Sequence, residues 1–244
     1  AEEGFQQAVL SSLARQHRHL LGALSSGPAG IARIEALRGA IATSVALGQD
    51  GDRLQALLDR LEAALRDQVL TDGGHRARSP RAQMAVLACL VDSRAALRAA
   101  GRESTGGLDD AIGRMTGVLR MLRHGDGGLA LFNGATEGAV WRIDSLLART
   151  ESKVRAVASA PDTGFERLTA GRAVAIMDTG VPTEEEGLVH AGTLSFELSV
   201  GKERLIVNCG AAPADPRWEG ALRATAAHST LIIDDTNSTE IDAR

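Results

Sequence analysis

The chain has 244 residues and a formal net charge of −4, with 44% apolar residues, 2% aromatic residues and no tyrosine. This length suffices for one large domain or two modest ones, and the scarcity of aromatic residues predicts a core of aliphatic side chains. Residues 1–150 carry 18 arginines against 16 acidic residues, a charge of +2, and residues 151–244 carry 9 basic against 15 acidic residues, a charge of −6. Neither part has the basic surplus of a nucleic-acid-binding protein, so no nucleic-acid partner is expected.

Neither the start of the chain nor its apolar runs indicate a membrane protein. No apolar run reaches the roughly 18 residues that a membrane span needs, and no signal peptide opens the chain. The first residue is Ala1 and a helical pattern begins almost at once, so we expect a fragment or a processed form. Cys89 and Cys209 have no CxxC spacing, and each is predicted to pack as a small buried hydrophobic residue.

The first 150 residues predict antiparallel helices joined by short connections. Apolar residues recur at helical spacing in stripes that begin near Phe5, Leu54, Met84 and Leu108, and another helix is predicted from Ala139 to about Arg155. The connections, each rich in helix-breaking residues, are Ser25–Gly30, Gly48–Asp52, Thr71–Pro80 and Gly101–Gly107.

After about residue 158 the pattern becomes that of strands. Residues 194–200 alternate apolar and polar side chains, which is typical of a half-buried strand, and residues 173–177, 205–207 and 230–233 are further β-rich runs. Helices followed by strands, without βαβ alternation, predict two segregated units rather than a doubly wound sheet. The boundary is expected near residues 154–163, giving predicted domains 1–155 and 156–244.

The stretch "LTDGGHRARSP" at residues 70–80 has two readings. Its two glycines allow a tight turn and close approach to a ligand, His75 could act in proton transfer, and the forks of Arg76, Arg78 and Arg81 suit anionic groups. On the other reading it is a capped helical joint, with Ser79 as the N-cap and Pro80 at the first helical position. The pattern by itself favours the joint.

Two histidines at strand edges suggest a metal site. His190 and His228 lie about 38 residues apart, and histidines on paired strands could share a metal ion such as zinc with one or two further ligands. The further ligands considered are Asp178, Asp215, Asp234 and Cys209. Two ordinary histidines at strand edges are an equal alternative, because no short spacing such as HxH is present.

For three other histidines the sequence predicts positions on helices rather than a functional site. His17 and His19 stand among charged and polar residues of a helix, which predicts a solvated face. His124 precedes a glycine, as residues at the C-terminus of a helix often do.

Three stretches in this order, "DGGHRARSP", "HAGTLSFELSVGKERLIVNCG" and "RATAAHSTLIIDD", resemble the heparinase II/III family of polysaccharide lyases. "GFERLTAGRAVAIMDTG" looks like the first sandwich strands of that family. The resemblance covers most of residues 70–244. It implies an (α/α) toroid domain followed by an antiparallel β-sandwich. It also implies a bacterial protein located in the periplasm or cell envelope. Family members cleave uronic-acid polysaccharides, including glycosaminoglycans, by β-elimination and carry a metal ion, often zinc.

Most residues of the family's first motif are present in this chain. Asp72, Gly73, Gly74, His75 and the Arg78–Pro80 run match it. The resemblance makes His75 the candidate catalytic residue, as base or carboxylate neutraliser, with Arg78 and Arg76 as candidates for binding an anionic sugar.

The proton-transfer groups of the first motif are missing from this chain. The tyrosine that serves the family as acid and base falls on Ala82, and the histidine beside it falls on Gln83. Since the chain has no tyrosine, a lyase of this subgroup would have to protonate its leaving group from water or from a residue outside the chain.

In the second and third motifs the resemblance implies metal ligands at His190, His228 and Asn208, where Asn208 stands in place of an aspartate. An earlier histidine of the second motif falls on Leu188, and an aspartate falls on Gly192.

The predicted function is therefore a polysaccharide lyase that cleaves acidic, uronic-acid glycans by β-elimination, with an acidic polysaccharide as partner and zinc as the implied cofactor. The alternative is a degenerate lyase-fold protein that binds acidic glycan without cleaving it, which Ala82, Gln83 and Leu188 suggest. A third hypothesis, a helical domain with a sandwich partner and no role in glycan binding, does not account for the three ordered motifs.

Overall fold

A computed structural model describes residues 2–49, 51–182 and 189–239 of the protein. The helices are α1 (Glu2–Ser25), α2 (Gly30–Ala46), α3 (Asp52–Gln68), α4 (Pro80–Ala99), α5 (Gly106–Met121), α6 (Val140–Arg149) and α7 (Pro216–Arg223), with a 3₁₀ turn at Thr225–Ala227. The strands are β1 (Ser159–Ala160), β2 (Phe165–Ala170), β3 (Ala173–Asp178), β4 (Phe196–Val200) and β5 (Glu203–Ile206).

The helical pattern is confirmed, and so are the four connections predicted between α1 and α5. Pro80 opens α4 as predicted, because its missing N–H costs nothing in the first turn. The predicted cap is wrong in one respect, since the Ser79 hydroxyl is buried without a hydrogen-bond partner among the described residues. The predicted last helix ends at Arg149 rather than near Arg155. No helix in the described ranges is long and apolar enough to cross a bilayer.

The chain forms two compact units. Ala1–Gln68 and Ala85–Ile112 make a helical unit, whereas Val69–Met84 and Gly113–Arg244 make a sheet unit. The units follow contacts in space rather than the order of elements along the chain. The loop before α4 and the first turn of α4 therefore belong with the strands. The domain boundary at residue 155 follows the change from helices to strands along the chain, and it stays a prediction.

The helical unit has the aliphatic core that composition predicts. Its helix α3 is amphipathic, with one face of leucines buried and arginines and acids on the other. α2 packs on both α1 and α3. The buried side chains of α2 and α3 include Ile34, Leu37, Ile41, Leu54, Leu57, Leu58, Leu61 and Leu65.

The sheet unit is built on a five-stranded antiparallel meander in the order β1-β2-β3-β4-β5. One face of this sheet packs against the end of α5 and the segment that follows it. Phe165 and Ile176 of the sheet lie in one buried cluster with Val118 and Phe132, and the rings of Phe132 and Phe165 are 5.3 Å apart. This cluster fixes the sheet to the C-terminal end of α5.

Strand β4 is confirmed, but its two faces are reversed relative to the usual pattern. Its polar residues are the buried ones, with Glu197 and Ser199 at 0% exposure and the preceding Ser195 at 1%. The apolar Leu198 and Val200 point to the other face, where they are half-buried or exposed. Leu168 of β2 and Leu205 of β5 are exposed as well.

Two further sequence predictions are wrong. The run at residues 230–233 forms no strand, and Ile233 makes one isolated bridge to Thr236. Leu231 and Ile233 are exposed, so the run lacks the packing surface that would hold it in the sheet. Cys209 is exposed rather than buried, while Cys89 is buried as predicted.

The buried cluster is expected to carry much of the stability of the sheet unit. Phe165→Ala removes a fully buried ring and should lower the free energy of unfolding by about 4 kcal/mol, because it leaves a cavity. Leu168→Ala on the same strand is the matched control, since Leu168 is 65% exposed and should cost less than about 1 kcal/mol. Denaturant unfolding followed by circular dichroism measures both, and equal losses would contradict this account of the core.

Candidate functional site

The DGGH loop is fixed to the turn between β1 and β2 through Asp72. One oxygen of its carboxylate accepts the backbone N–H of Thr163 at 2.6 Å. The other oxygen accepts the Thr163 hydroxyl at 2.6 Å and the backbone N–H of Gly74 at 2.8 Å. These bonds connect residues that are 91 positions apart in the chain. Asp72 therefore has a structural reason to be an acid.

Both glycines of the motif are needed for close packing. Gly73 has φ +91°, and a Cβ there would lie 2.6 Å from the backbone carbonyl of Arg114. A Cβ on Gly74 would overlap the side chain of Thr163. Only glycine tolerates this backbone angle together with such contacts. The two glycines are explained by protein packing, without a ligand.

His75 is sealed inside the sheet unit. It is 1% exposed, and burial, with Arg76 adding to the effect, lowers its pKa to about 4. Its Nδ1 accepts the backbone N–H of Ala77 at 3.1 Å, so in the neutral ring the proton lies on Nε2. Nε2 is buried and finds no partner among the described residues. At neutral pH this ring is an uncharged group without access to solvent.

Gln83 holds the loop from inside α4. Its Oε1 accepts the backbone N–H of His75 at 2.7 Å, and its Nε2 donates to the carbonyls of Gly73 at 2.9 Å and Met115 at 3.0 Å. Gln83 and its neighbour Ala82 are 1% and 2% exposed. The two positions at which the family carries a tyrosine and a histidine are thus filled by core residues.

Arg78 is the centre of a buried polar cluster. Its Nη2 forms an ion pair with Asp178, its Nε donates to the carbonyl of Thr163 at 2.7 Å, and its Nη1 donates to that of Val181 at 2.5 Å. The amide of Asn133 donates to Asp178 at 3.2 Å and to the carbonyl of Arg78 at 2.9 Å. Arg78 has φ +53°, and its side chain is 7% exposed.

The electrostatics of this cluster favour a structural role. Burial raises the pKa of Asp178, and the Arg78 guanidinium, with bonds from Gly180 and Asn133, acts against that rise. Each edge of the guanidinium already faces a protein acceptor, so Arg78 lies where it binds the sheet unit together. Arg76, in contrast, is exposed. The predicted roles of Arg76 and Arg78 in substrate binding remain predictions.

His190, His228 and Asn208 are brought together as the sequence suggested. His190 Nδ1 lies 3.3 Å from His228 Nε2, and His228 Nδ1 lies 3.2 Å from Asn208 Oδ1. Both histidines are buried, at 5% and 9% exposure. Burial, His228 and Arg223 together lower the pKa of His190 to about 4, and burial lowers that of His228. Both rings are therefore neutral at pH 7.

The hydrogen bonds around this pair fix the proton on the His228 ring. Asn208 Oδ1 accepts the backbone N–H of Ser229 at 3.1 Å, so this atom is an acceptor and His228 Nδ1 must donate to it. The His228 Nε2 atom then holds a lone pair. The backbone of Leu222 hydrogen-bonds to His190 and raises its pKa, as a carbonyl acceptor does. His190 Nδ1, 3.3 Å from His228 Nε2, donates to that lone pair when it carries the proton of the neutral ring, and faces it with a second lone pair when Nε2 of His190 carries the proton.

With the His190 proton on Nε2, the two facing nitrogens present lone pairs 3.3 Å apart, which suit a cation between them. Two nitrogens that share a zinc ion lie about 2.0–2.1 Å from it, which this separation allows. Asn208 does not fit as a third ligand, because its oxygen is used by His228 and Ser229. Within the described ranges no group of three His, Cys, Asp or Glu side chains could hold a metal ion. Leu188 lies outside the described residues.

A buried glutamate extends the network beyond Asn208. Glu197 Oε1 accepts from the amide and the backbone N–H of Asn208, both at 3.2 Å, and from the backbone N–H of Leu131 at 2.8 Å. Its Oε2 lies 2.9 Å from His124 Nε2, and His124 Nδ1 lies 2.9 Å from the Ser199 hydroxyl. This network explains why the polar side of β4 faces inward.

Sequence reasoning missed the loop-holding role of Gln83 and the roles of Thr163, Asn133, Glu197 and His124. The first four offer no motif, because each has a partner more than 30 residues away. The prediction that His124 lies at the end of a helix is wrong, since α5 ends at Met121 and His124 follows in a loop as a buried partner of Glu197. The one signal for this buried network in the sequence was Glu197, a charged residue within a predicted half-buried strand. Asp178, considered as a metal ligand, pairs with Arg78 instead.

Comparison with known proteins gives the family. Residues 152–244 match the family described as Heparinase II/III-like, C-terminal. The fold, helices followed by an antiparallel sheet, matches a heparan sulfate lyase HepC from Pedobacter heparinus with a TM-score of 0.72 at 18% identity, over 96% of this chain and 41% of that one. A heparinase III structure gives a TM-score of 0.71 at 16% identity, over 91% and 40%. Residues 152–244 thus belong to the Heparinase II/III-like, C-terminal family.

A relative with higher sequence identity carries a different description. FtsZ-localized protein C of Caulobacter vibrioides (strain NA1000 / CB15N) is 34% identical over 230 residues, which is 93% of this chain and 39% of that protein. The chain thus spans about two fifths of the length of the proteins it matches. The solved structures support the fold, and the relative in Caulobacter shows that similar sequences occur in a protein described by its localisation with FtsZ.

The Arg78 cluster predicts a large cost for losing the ion pair. Arg78→Met leaves Asp178 buried without its counter-charge and should lower the free energy of unfolding by about 3–5 kcal/mol. Arg76→Met, two residues earlier and exposed, is the control and should change it by less than about 1 kcal/mol. Denaturant unfolding measures both variants. A small effect of Arg78→Met would show that the pair does not hold the sheet unit.

His75 should make the protein less stable in acid. Its folded pKa of about 4 lies below the unfolded value of 6.5, so the unfolded chain takes up the proton first as pH falls. The contribution is complete above pH 6.5 and is lost between 6.5 and 4, by about 3 kcal/mol at about 1.4 kcal/mol per pKa unit. His75→Asn keeps an acceptor for Ala77 and cannot titrate, so its stability should fall less steeply over that range.

The control for this titration is His19→Asn, because His19 is exposed on α1. Unfolding at a series of pH values should give the control the same slope as the parent chain. An unchanged slope for His75→Asn would contradict the assignment of His75 as a buried neutral ring.

Proposed function

We propose that this chain is part of a heparinase II/III-like protein that binds acidic glycan without cleaving it. In this proposal the helices belong to an (α/α) toroid and the sheet is one layer of a β-sandwich. The exposed apolar face of the sheet, with Leu168, Val200 and Leu205, supports a second layer, since such a face is costly in water.

The observation that carries the proposal is the burial of Ala82 and Gln83. β-Elimination needs a base for the proton beside the carboxylate, a group that neutralises the carboxylate, and an acid for the leaving oxygen. The position of the family's tyrosine holds a buried alanine, and Gln83 is fully engaged with the backbone of the loop and of α5. A polysaccharide cannot reach either side chain without opening the core.

The other candidate for proton transfer gives little support to catalysis. His75 is buried and has a pKa of about 4, well below the value near neutrality that suits a general base. Arg78 neutralises Asp178 and is not available in this conformation to a substrate carboxylate. Arg76 and Arg81 lie toward solvent, and their forks suit carboxylate and sulfate groups. These observations therefore favour glycan binding over the alternative, a lyase in which His75 is catalytic.

The Caulobacter relative favours a second candidate function. Its description places it with FtsZ, and 34% identity over 93% of this chain supports a shared cellular role. In this reading the fold serves as a binding platform in a protein that localises with FtsZ. A fluorescent fusion of the full-length protein that fails to localise with FtsZ would contradict it. Glycan binding without cleavage is compatible with either role.

A metal ion is the remaining part of the proposal. His190 Nδ1 and His228 Nε2 would hold it, with Asn208 and Glu197 orienting His228. A bound zinc would act there as a cross-link between the segment before β4 and the segment after the 3₁₀ turn. The 3.3 Å separation of these nitrogens and the lone pair on His228 Nε2 support this assignment.

The proposed function predicts binding without turnover. The full-length protein, incubated with a panel of uronic-acid polymers, should give no rise in the ultraviolet absorbance of unsaturated uronate products. Calorimetry should show binding to at least one polymer. Arg76→Gln should weaken that binding by about tenfold, while Arg66→Gln, exposed on α3, should leave it unchanged. Product formation that His75→Asn abolishes would overturn the proposal and restore the lyase.

Zinc binding is tested separately from glycan binding. Elemental analysis of protein purified without chelators should find about one zinc per chain. His228→Ala should remove it, and Asn208→Ala should weaken zinc affinity by about 10- to 100-fold, as expected for a residue that orients a ligand. Protein without zinc, together with no heat on titrating zinc into it, would remove the metal site.

A further inference from the structure

The helical unit contains a pocket that none of the three motifs touches. It lies between the C-terminal half of α1, the end of α2 and the first half of α3, and its volume is about 520 Å³. Ligand pockets for small molecules typically measure about 300–1,000 Å³. The walls are mostly apolar, with Leu21, Leu47, Ala56 and Leu57 among the residues that line them. The pocket could therefore enclose the apolar body of a small molecule.

His17 forms part of the pocket wall and has a fixed proton. The sequence predicted a solvated position, but His17 is 5% exposed. The Thr43 hydroxyl donates to the carbonyl of Gly39 at 2.8 Å, so it can only accept from His17 Nδ1, which lies 2.9 Å away. The neutral ring therefore carries its proton on Nδ1, and Nε2 holds a lone pair. No side chain or backbone group in the described ranges bonds to Nε2, which is not sealed from solvent.

The charged residues around the pocket are all of one sign. Arg18, Arg53 and Arg60 line it, and no acidic residue of the described chain does. Arg60 donates to the carbonyl of Leu24 at 2.9 Å. Arg18 and Arg53 are exposed and have no ion pair or hydrogen bond to other described residues. Two forks of donors at the rim of an apolar pocket match a carboxylate, sulfonate or phosphate group.

We propose that this pocket binds a small anionic amphiphile. The apolar body lies against Leu21, Leu47, Ala56 and Leu57, and the anionic head binds the guanidinium groups of Arg18 and Arg53. A hydroxyl or N–H of the ligand donates to His17 Nε2. Charge complementarity selects an anion, because a cation or a neutral molecule of the same shape would leave both arginines without a partner.

The test uses a matched pair of fluorescent probes on the full chain. Anilinonaphthalene sulfonate is an anionic amphiphile, and N-phenylnaphthylamine has the same aromatic body without the sulfonate. The parent chain should bind the sulfonate at one site, at least about tenfold more tightly than the neutral probe. The double variant Arg18→Gln/Arg53→Gln should lose about tenfold or more in sulfonate affinity and keep its affinity for the neutral probe.

Two further variants make the result specific to the pocket. Ala56→Phe fills the pocket from an exposed position of α3 and should abolish binding of both probes while leaving the circular dichroism spectrum unchanged. Arg66→Gln, on the same helix and outside the pocket, should bind like the parent. Sulfonate binding that survives Ala56→Phe, or equal affinity for the two probes, would overturn the proposal. Absence of binding to the parent chain would overturn it as well.

Discussion

The buried ion pair between Arg78 and Asp178 is the interaction on which the rest of the sheet unit depends. It joins the loop before α4 to the end of β3, across 100 residues of sequence. A guanidinium and a carboxylate removed from water are stable only if each finds partners, and here Thr163, Val181 and Asn133 complete the set. Asp72 then fixes the same turn through Thr163, and Gln83 fixes the loop from behind. The residues of the DGGH loop are thus held in place by polar groups. Removing any one of these groups would leave another buried group without its partner.

This constraint explains how a motif can persist in form while its chemistry changes. The aspartate, the two glycines, Arg78 and the proline all have partners or backbone angles that demand them. The proton-transfer positions are different, because Ala82 and Gln83 fill them with core packing. In the proposed function, the chain keeps the heparinase II/III-like fold without the groups that β-elimination needs. Similarity to a relative described by localisation with FtsZ is consistent with a use of this fold other than glycan cleavage.

The sequence predicted the elements well where local periodicity decides them. The helices of residues 1–121 and their connections follow from apolar spacing and breakers, and β3, β4 and β5 follow from short β-rich runs. The orientation of β4 could not be predicted, because Glu197 is buried by a network with His124 and Asn208 that no local pattern reveals. Residues 230–233 fail as a strand for the converse reason, since β propensity without a surface to pack on does not hold a strand in a sheet. In the candidate site, the resemblance identified His190, His228 and Asn208 as neighbours. The resemblance did not predict that Asn208 orients His228 through a hydrogen bond, while the rings of His190 and His228 face each other.

The most direct test of the central claim is the protonation state of His75 in the folded protein. Nuclear magnetic resonance of the full chain with labelled histidine rings reports the tautomer and pKa of each ring. The structure predicts a neutral His75 ring with its proton on Nε2, slow to exchange with water and with a pKa of about 4. A His75 ring that titrates near 6.5 and exchanges freely with solvent would contradict the claim, because it would place His75 in an open site where it could act on a substrate.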